Sequence, residues 1–258
     1  MKKDGVQPER LNDMANVVRE NRFVTVEDLS RFFKVSASTI RRDLTILEED
    51  AVIERFHGGA VAHRLLGVLY SEREKKNLEE KRKIGAKAAS LIEENSTIIL
   101  DAGTTVMQVA RSLESLSKKN ITIITTTVSM AELLLGKVGF KVILSGGVLS
   151  VESNSLVGVL ATEAFSKMSA NKAFLGCEAV SAELDVMYPD LEIIEVKKAI
   201  MRSGEQKVLV VNSSKFGKVS LSTIGKIDIF DVVITDNKIP EEYLNKLKKL
   251  GVNLIIAE

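Results

Sequence analysis

The chain has no tryptophan, one cysteine, two histidines and three prolines in 258 residues. A lone cysteine, Cys177, excludes an internal disulfide and fits a reducing compartment. Two histidines with that cysteine are too few for a structural zinc site, so no metal is expected, and no cofactor is called for either. Long apolar runs are missing as well. Thr97–Leu100 and Val208–Val211 are strand-length, far short of a bilayer span. The first residues, MKKDGVQPER, have no apolar stretch behind their lysines and do not read as a signal peptide. Together these absences point to a cytoplasmic protein with no membrane partner. Charge imbalance is also lacking: the net charge is +1, and residues 1–63 hold ten Lys/Arg against eleven Asp/Glu. A nucleic-acid surface in such a chain has to come from where charges sit, not from their sum.

What is present is ordinary globular composition, 45% hydrophobic and 28% charged, at a length that favours two domains. The patterns change twice, which predicts a module over 1–63, a linker over 64–78 and a larger domain over 79–258. In the first, Leu11, Met14, Val17 and Val18 recur at helical spacing after Pro8. Thr25 and Asp28 resemble a capping box opening a second helix that buries Val26, Leu29 and Phe33. Ser36 can cap a third, with the stripe Ile40, Leu44, Leu47, and a hairpin follows, Val52–Phe56 returning through Ala60–Ala62. The run Tyr70–Lys83 is mixed in charge without an apolar stripe and reads as linker passing into a solvated helix. Beyond residue 84, uniformly apolar strand-like runs alternate with helical patterns, which predicts an α/β fold whose mainly parallel sheet is covered on both faces.

Two helices, a tight turn and a third helix with a polar outer face make a helix-turn-helix pattern. The third helix is expected to present Ser36, Ser38, Thr39, Arg41, Arg42 and Asp43 outward. Small hydroxyl residues near a helix N-terminus approach phosphates closely, and arginines reach guanine edges or the backbone. Arg55, His57 and Gly58 are placed at the hairpin tip, beside the flanking DNA. A protein-interaction module with merely solvated arginines is the other reading of the same residues.

In the larger domain, Leu100-Asp101-Ala102-Gly103-Thr104-Thr105 sits where a strand ends and a helix begins, the place where open α/β sheets bind ligands. Thr125-Thr126-Thr127, Ser145-Gly146-Gly147 and Asn212-Ser213-Ser214-Lys215 follow other strands. Glycines, hydroxyls and Lys215, the one cation in these loops, describe a pocket for a small anion. Cys177 reads as a buried filler and His63 as solvated.

The stretch Val35-Ser36-Ala37-Ser38-Thr39-Ile40-Arg41-Arg42-Asp43-Leu44, then Leu47-Glu48-Glu49, then Ile53 to Val61 (IERFHGGAV), resembles the signature of the DeoR family of sugar-catabolism repressors. The likeness extends through the strand-end loops to Phe174-Leu175-Gly176, Pro189-Asp190-Leu191-Glu192 and Glu195-Val196-Lys197-Lys198-Ala199. It implies a winged helix-turn-helix joined to a domain similar in fold to ribose-5-phosphate isomerase and coenzyme A transferases. It further implies a homo-oligomer on repeated operator half-sites of double-stranded DNA. The effector implied is a phosphorylated sugar lined by Asp101, Gly103, Thr104, Thr105, Gly147 and Lys215, with Thr126 and Glu178 as altered neighbours. The departures are Ala51 for a usual Gly, Thr126 where the family has Asn, Glu178-Ala179 for Asp-Gly, Tyr188 for Thr or Ser, and Asn212 for Asp. An alternative is a sugar-phosphate isomerase or deaminase with a helical accessory domain, using Asp101, Glu178 and Lys215. That chemistry needs two placed proton-transfer groups, and the chain has no histidine beyond residue 63. A third reading leaves the second domain only an oligomerising role.

Overall fold

Apolar periodicity in the first sixty residues resolves into one small core. A computed structural model describes residues 6–21, 23–50, 52–56, 58–62, 66–116, 118–150 and 153–258, and the chain divides into two units, Met1–Leu69 and Tyr70–Glu258. The first holds α1 (Val6–Asn21), β1 (Phe23–Thr25), α2 (Val26–Phe33), α3 (Ala37–Glu49), β2 (Ile53–Phe56) and β3 (Gly59–Ala62). Thr25 starts α2: its hydroxyl accepts the Asp28 amide at 3.0 Å and donates to the Asp28 carboxylate at 2.7 Å. Ser36 starts α3 by accepting the Thr39 amide at 3.2 Å. Between them Lys34 takes a left-handed conformation, and the Ser30 hydroxyl donates to the Val35 carbonyl at 2.6 Å, which closes the turn.

Met14, Val18, Leu29, Ile40, Leu44, Leu47 and Ile53 meet in the core of this unit. Truncating any such residue to Ala costs about 2–5 kcal/mol. β2 and β3 pair antiparallel as the expected hairpin, Ile53 opposite Ala62. β1 adds to the other side of β3, giving the order β1-β3-β2. Three residues are too few to display the alternation that would have announced β1. At the end of α3 the Val52 amide donates to the Leu47 carbonyl at 2.8 Å, a six-to-one closure. Ala51 itself lies outside the described residues.

α4 (Leu66–Lys75) runs across the boundary between the units. The second unit continues with α5 (Leu78–Ser90), β4 (Thr97–Leu100), α6 (Thr104–Ser115), β5 (Ile121–Thr125), α7 (Val128–Leu134), β6 (Phe140–Leu144), β7 (Val148–Ser150), β8 (Ser155–Val157) and α8 (Val159–Ser166). Then follow β9 (Ala170–Leu175), β10 (Ala179–Val180), β11 (Asp185–Tyr188), α9 (Leu191–Ser203), β12 (Gly204–Val210), β13 (Ser222–Lys226), β14 (Val232–Asp236), α10 (Glu241–Lys249) and β15 (Leu254–Ala257). Seven strands form one sheet in the order β15-β14-β12-β9-β4-β5-β6, and every pair is parallel. Successive side chains go to opposite faces. Ile98, Leu100, Val208 and Val210 join the core under α5, α6 and α7, while Ile99, Leu209 and Val211 join the core under α8, α9 and α10. Burial on both faces is why these strands read as unbroken apolar runs.

From β4 the chain winds outward through β5 to β6, then returns to the other side of β4 and winds through β9, β12, β14 and β15. The order therefore reverses between β4 and β9, and a crevice outside their carboxyl ends is the site such a sheet provides. The solvated helix expected over the charge run is different in the structure: Lys81, Ile84, Gly85, Ala88 and Ala89 of α5 are buried. Gly85 is needed there because a Cβ would lie 2.5 Å from the Gln108 carbonyl carbon, so α5 and α6 touch backbone to backbone.

Candidate nucleic-acid interface and effector site

The N-terminal turn of α3 gathers three hydroxyls. Ser36 Oγ lies 2.8 Å from Ser38 Oγ and 2.9 Å from Thr39 Oγ1. One turn on, Arg41 and Arg42 are exposed, and their guanidinium groups have no hydrogen bond or ion pair among the described residues. A helix N-terminus with small donors and two uncommitted guanidinium groups can hold phosphates and reach base edges. Asp43 departs from the expectation that it faces outward. It is fully buried, and Arg10 of α1 clasps it through Nε at 2.7 Å and Nη2 at 3.1 Å. It pins α3 to α1. Arg55 stands within β2, not at the tip. Its guanidinium bonds Thr45 Oγ1 and lies 3.7 Å from Glu48 on α3, whose other carboxylate oxygen accepts the Arg55 amide at 3.1 Å. Gly58 forms the exposed turn, and its carbonyl accepts the Val26 amide at 2.9 Å, fixing the wing to the start of α2. His57 and His63 lie outside the described residues.

In the second unit the loop after β4 supplies Gly103, which caps α6 at φ 136°, a conformation that excludes a side chain although nothing lies within 4 Å of where a Cβ would be. No side chain caps this helix, so the amides of its first turn, beside the half-buried Thr104 and the buried Thr105, are open to an anion. Asp101, expected to line the pocket, is instead sealed beneath it at 1% exposure. Its carboxylate accepts the Gly176 amide at 3.2 Å and is ion-paired with Lys197 of α9, which also donates to the Gly176 carbonyl at 2.9 Å. The Lys197 ammonium stands 4.8 Å from the Tyr188 ring centroid. This buried knot ties the end of β4 to the end of β9 and forms the floor of the crevice.

Above the floor sits a cluster of cations. Lys215, after β12, is not free as its sequence position suggests: its Nζ donates to Glu178 Oε1 at 2.7 Å, and Arg73 of α4 stands 3.7 Å from the other oxygen of the same carboxylate. Lys81 of α5 is 3% exposed and donates to the Arg73 carbonyl. No carboxylate among the described residues lies within ion-pairing distance of it. Burial, reinforced by repulsion from Lys215 and Arg73, pushes Lys81 down to about 8. Lys215 and Arg73 thus meet one carboxylate, and Lys81 lies within electrostatic reach of both cations. Asn77, left-handed at the start of α5, donates to Ser214 Oγ at 2.8 Å and locks this wall to the β12 loop. Tyr70 of α4 is 8% exposed, its hydroxyl has no partner, and burial pushes it up to about 12.

The remaining expected residues separate. Thr126 is buried, with its carbonyl accepting the Leu156 amide at 2.8 Å. Gly147 follows β6, four strands from β12. It packs against Val157 and Ala161, where a Cβ would lie 2.6 Å from the Val157 carbonyl oxygen. Cys177 is half-buried against the core and burial pushes its thiol up to about 12, which makes it no nucleophile. A surface cavity of about 340 Å³ lined by Thr97, Asn171, Arg202 and Gly204 lies at the opposite rim, at the amino ends of the strands.

The profile of the DeoR-like helix-turn-helix domain matches residues 10–64, and that of the DeoR C terminal sensor domain matches residues 76–237. The chain belongs to the DeoR family. It is similar over nearly its whole length to the HTH-type transcriptional regulator GolR of Listeria innocua, at 32% identity covering 97% of this chain and 98% of that one. The glycerol-3-phosphate regulon repressor of Escherichia coli K12 is 32% identical over 96% and 98%, and the transcriptional repressor GlcR of Bacillus subtilis 33% over 98% and 97%. Among solved structures, ribose 5-phosphate isomerase A of Methanocaldococcus jannaschii aligns with a TM-score of 0.40 at 17% identity, covering 56% of this chain and 57% of that one. This DeoR-family protein is a DNA-binding transcriptional regulator and not an enzyme.

Tyr70, Arg73, Lys81 and Lys197 are not singled out by sequence reasoning. Tyr70 and Arg73 lie in α4 and Lys81 in α5, with the left-handed Asn77 between the two helices, so no single helical face announces them in the charge run. Lys197 gave no local signal, because its partner Asp101 is 96 residues away.

Proposed function

We propose that this DeoR-family regulator represses a sugar or carbohydrate operon in the cytoplasm and leaves its DNA when a phosphorylated sugar occupies the crevice between β4 and β9. The observation that carries this reading is the buried ammonium of Lys81, with Lys215 and Arg73 as electrostatic neighbours and no ion-pairing carboxylate among the described residues. A buried cation without a counter-ion is costly, and an anion relieves that cost. Residues 1–63 act as the DNA-binding module and 79–258 as the sensor, with the segment between them including the helix that carries Tyr70 and Arg73. Contact residues are Ser36, Ser38, Thr39, Arg41, Arg42, Arg55, His57 and Gly58 on DNA, and Gly103, Thr104, Thr105, Lys81 and Lys215 on the effector.

Assembly as a homo-oligomer is part of the proposal, since one module buries little DNA and paired modules match repeated half-sites. What supports it is a set of exposed apolar side chains near one another in the chain, Leu144, Val148, Leu149, Val159 and Leu160, at 41–72% exposure. The test is to select binding sites from a random duplex pool with the full chain and titrate the selected DNA with sugar phosphates. Arg41→Ala and Arg42→Ala should each weaken binding by about 1–3 kcal/mol. Wild-type affinity in both, or DNA retention at saturating concentrations of every sugar phosphate tried, removes the reading.

A further inference from the structure

The ligand-free site already contains an anion of its own. Glu178 reaches from the β9 loop to Lys215 at 2.7 Å and to Arg73 at 3.7 Å, so a single carboxylate joins α4 to the β12 loop. One turn before Arg73 on the same helix, the Tyr70 hydroxyl is buried and has no hydrogen-bond partner among the described residues. Its electrostatic neighbours are Glu74, Arg73, Arg111 and Tyr188. Tyr188 in turn feels Lys197, Arg73, Asp101 and Glu178, so Arg73 is a neighbour common to both phenols. Buried polar groups are almost always satisfied, and one that is not calls for an account. Lys81 is held by the Arg73 backbone carbonyl, a second tether between α4 and the floor of the site. α4 is also the helix in which the first unit passes into the second.

We propose that Glu178 is an internal stand-in for the effector's phosphate, and that an entering phosphate takes Arg73 and Lys215 from it and becomes the missing acceptor of the Tyr70 hydroxyl. The inference rests on the phosphate reading above and adds how the site reports its state. Exchange of one anion for another changes what holds α4. Glu178 anchors α4 through one long contact to Arg73, whereas a phosphate with three acceptor oxygens engages Arg73, Lys81 and Tyr70 together. The ligand therefore tightens the carboxyl half of α4, next to the DNA-binding unit in the chain. The swap also makes the sensor selective: a weakly charged metabolite cannot outcompete a carboxylate already in place.

The experiment uses the full chain with inorganic phosphate, glycerol 3-phosphate and glucose 6-phosphate as probes, by calorimetric titration and amide hydrogen exchange. Glu178→Gln removes the competitor and should raise affinity for the tightest of these probes about tenfold. Tyr70→Phe should lower it about tenfold while leaving the ligand-free protein no less stable, since the hydroxyl it removes has no partner. The bound probe should slow exchange of the amides at 70–76 in the wild type. Binding by the wild type with unchanged or weakened affinity in Glu178→Gln overturns the stand-in and leaves the phosphate reading intact. Destabilised ligand-free Tyr70→Phe, or unaltered exchange at 70–76 on binding, overturns the role of α4. Failure of all three probes to bind the wild type overturns the phosphate reading and this inference together.

Discussion

The two units keep their charges differently. On α3 the Arg41 and Arg42 guanidinium groups stand exposed and uncommitted among the described residues, while in the second unit Lys197, Lys215 and Arg73 each meet a carboxylate of the protein itself. A DNA duplex brings a dense and constant array of phosphates, so an open cation on a solvated surface costs little and gains by counter-ion release. A metabolite brings one or two charges and must be told apart from many others. Cations that wait for it in a low-dielectric crevice need internal partners, and those partners set the threshold a ligand must exceed. Each unit also contains a buried carboxylate paired across elements distant in the chain: Asp43 with Arg10, and Asp101 with Lys197.

The largest effect is expected where that comparison is sharpest. Lys197→Met leaves the Asp101 carboxylate buried and unpaired and should cost about 3–5 kcal/mol in urea denaturation. Arg41→Met on the DNA face should cost no measurable stability. Equal losses in the two variants would erase the distinction between committed and open charge.

Next in size is a pH effect confined to the sensor. Burial holds Lys81 at about 8 in the folded chain against an ordinary 10.5. Between these values the unfolded chain keeps a proton that the folded chain has released, so stability rises with pH across that window, by at most about 3 kcal/mol. Below about 8 the folded protein carries the full cost of the buried charge. Lys81→Met should lose this rise, so the wild type should gain on it between pH 7.5 and pH 10. A constant difference between the two would mean that Lys81 is solvated.

The smallest effect belongs to the wing. Glu48→Ala releases the Arg55 guanidinium from an exposed pair worth less than about 1 kcal/mol, so the fold should be indifferent. DNA affinity should rise by less than tenfold and fall more steeply with salt, because a carboxylate leaves the surface. Weaker DNA binding would show that Glu48 positions Arg55 for its contact.

How much of this was legible in the sequence follows the same division. The caps Thr25 and Ser36, the stripe Ile40, Leu44, Leu47 and the strand-end loops are local patterns, and local patterns are what a single chain displays. The sheet's strands were legible because burial on both faces forces unbroken apolar runs. The sensor's cations were not, because Arg73, Lys81, Lys197 and Lys215 come from four elements and only the fold brings them to one crevice. Asp43 was misplaced for a related reason: its position on a polar helical face is cancelled by Arg10, 33 residues earlier. The strands β1, β7, β8 and β10, of two or three residues each, are too short for their period to stand out.

The contact at Gly85 has one more consequence. It lies one helical turn beyond Lys81 on α5, and its neighbour Gln108 lies one turn beyond Thr104 on α6. Because the two helices meet with no room for even a methyl group, the spacing of the Lys81 and Thr104 backbones, one turn away on each helix, is set by close packing. For the proposed effector crevice this makes the α5–α6 seam a caliper. Gly85→Ala should pry it open and change which anion fits.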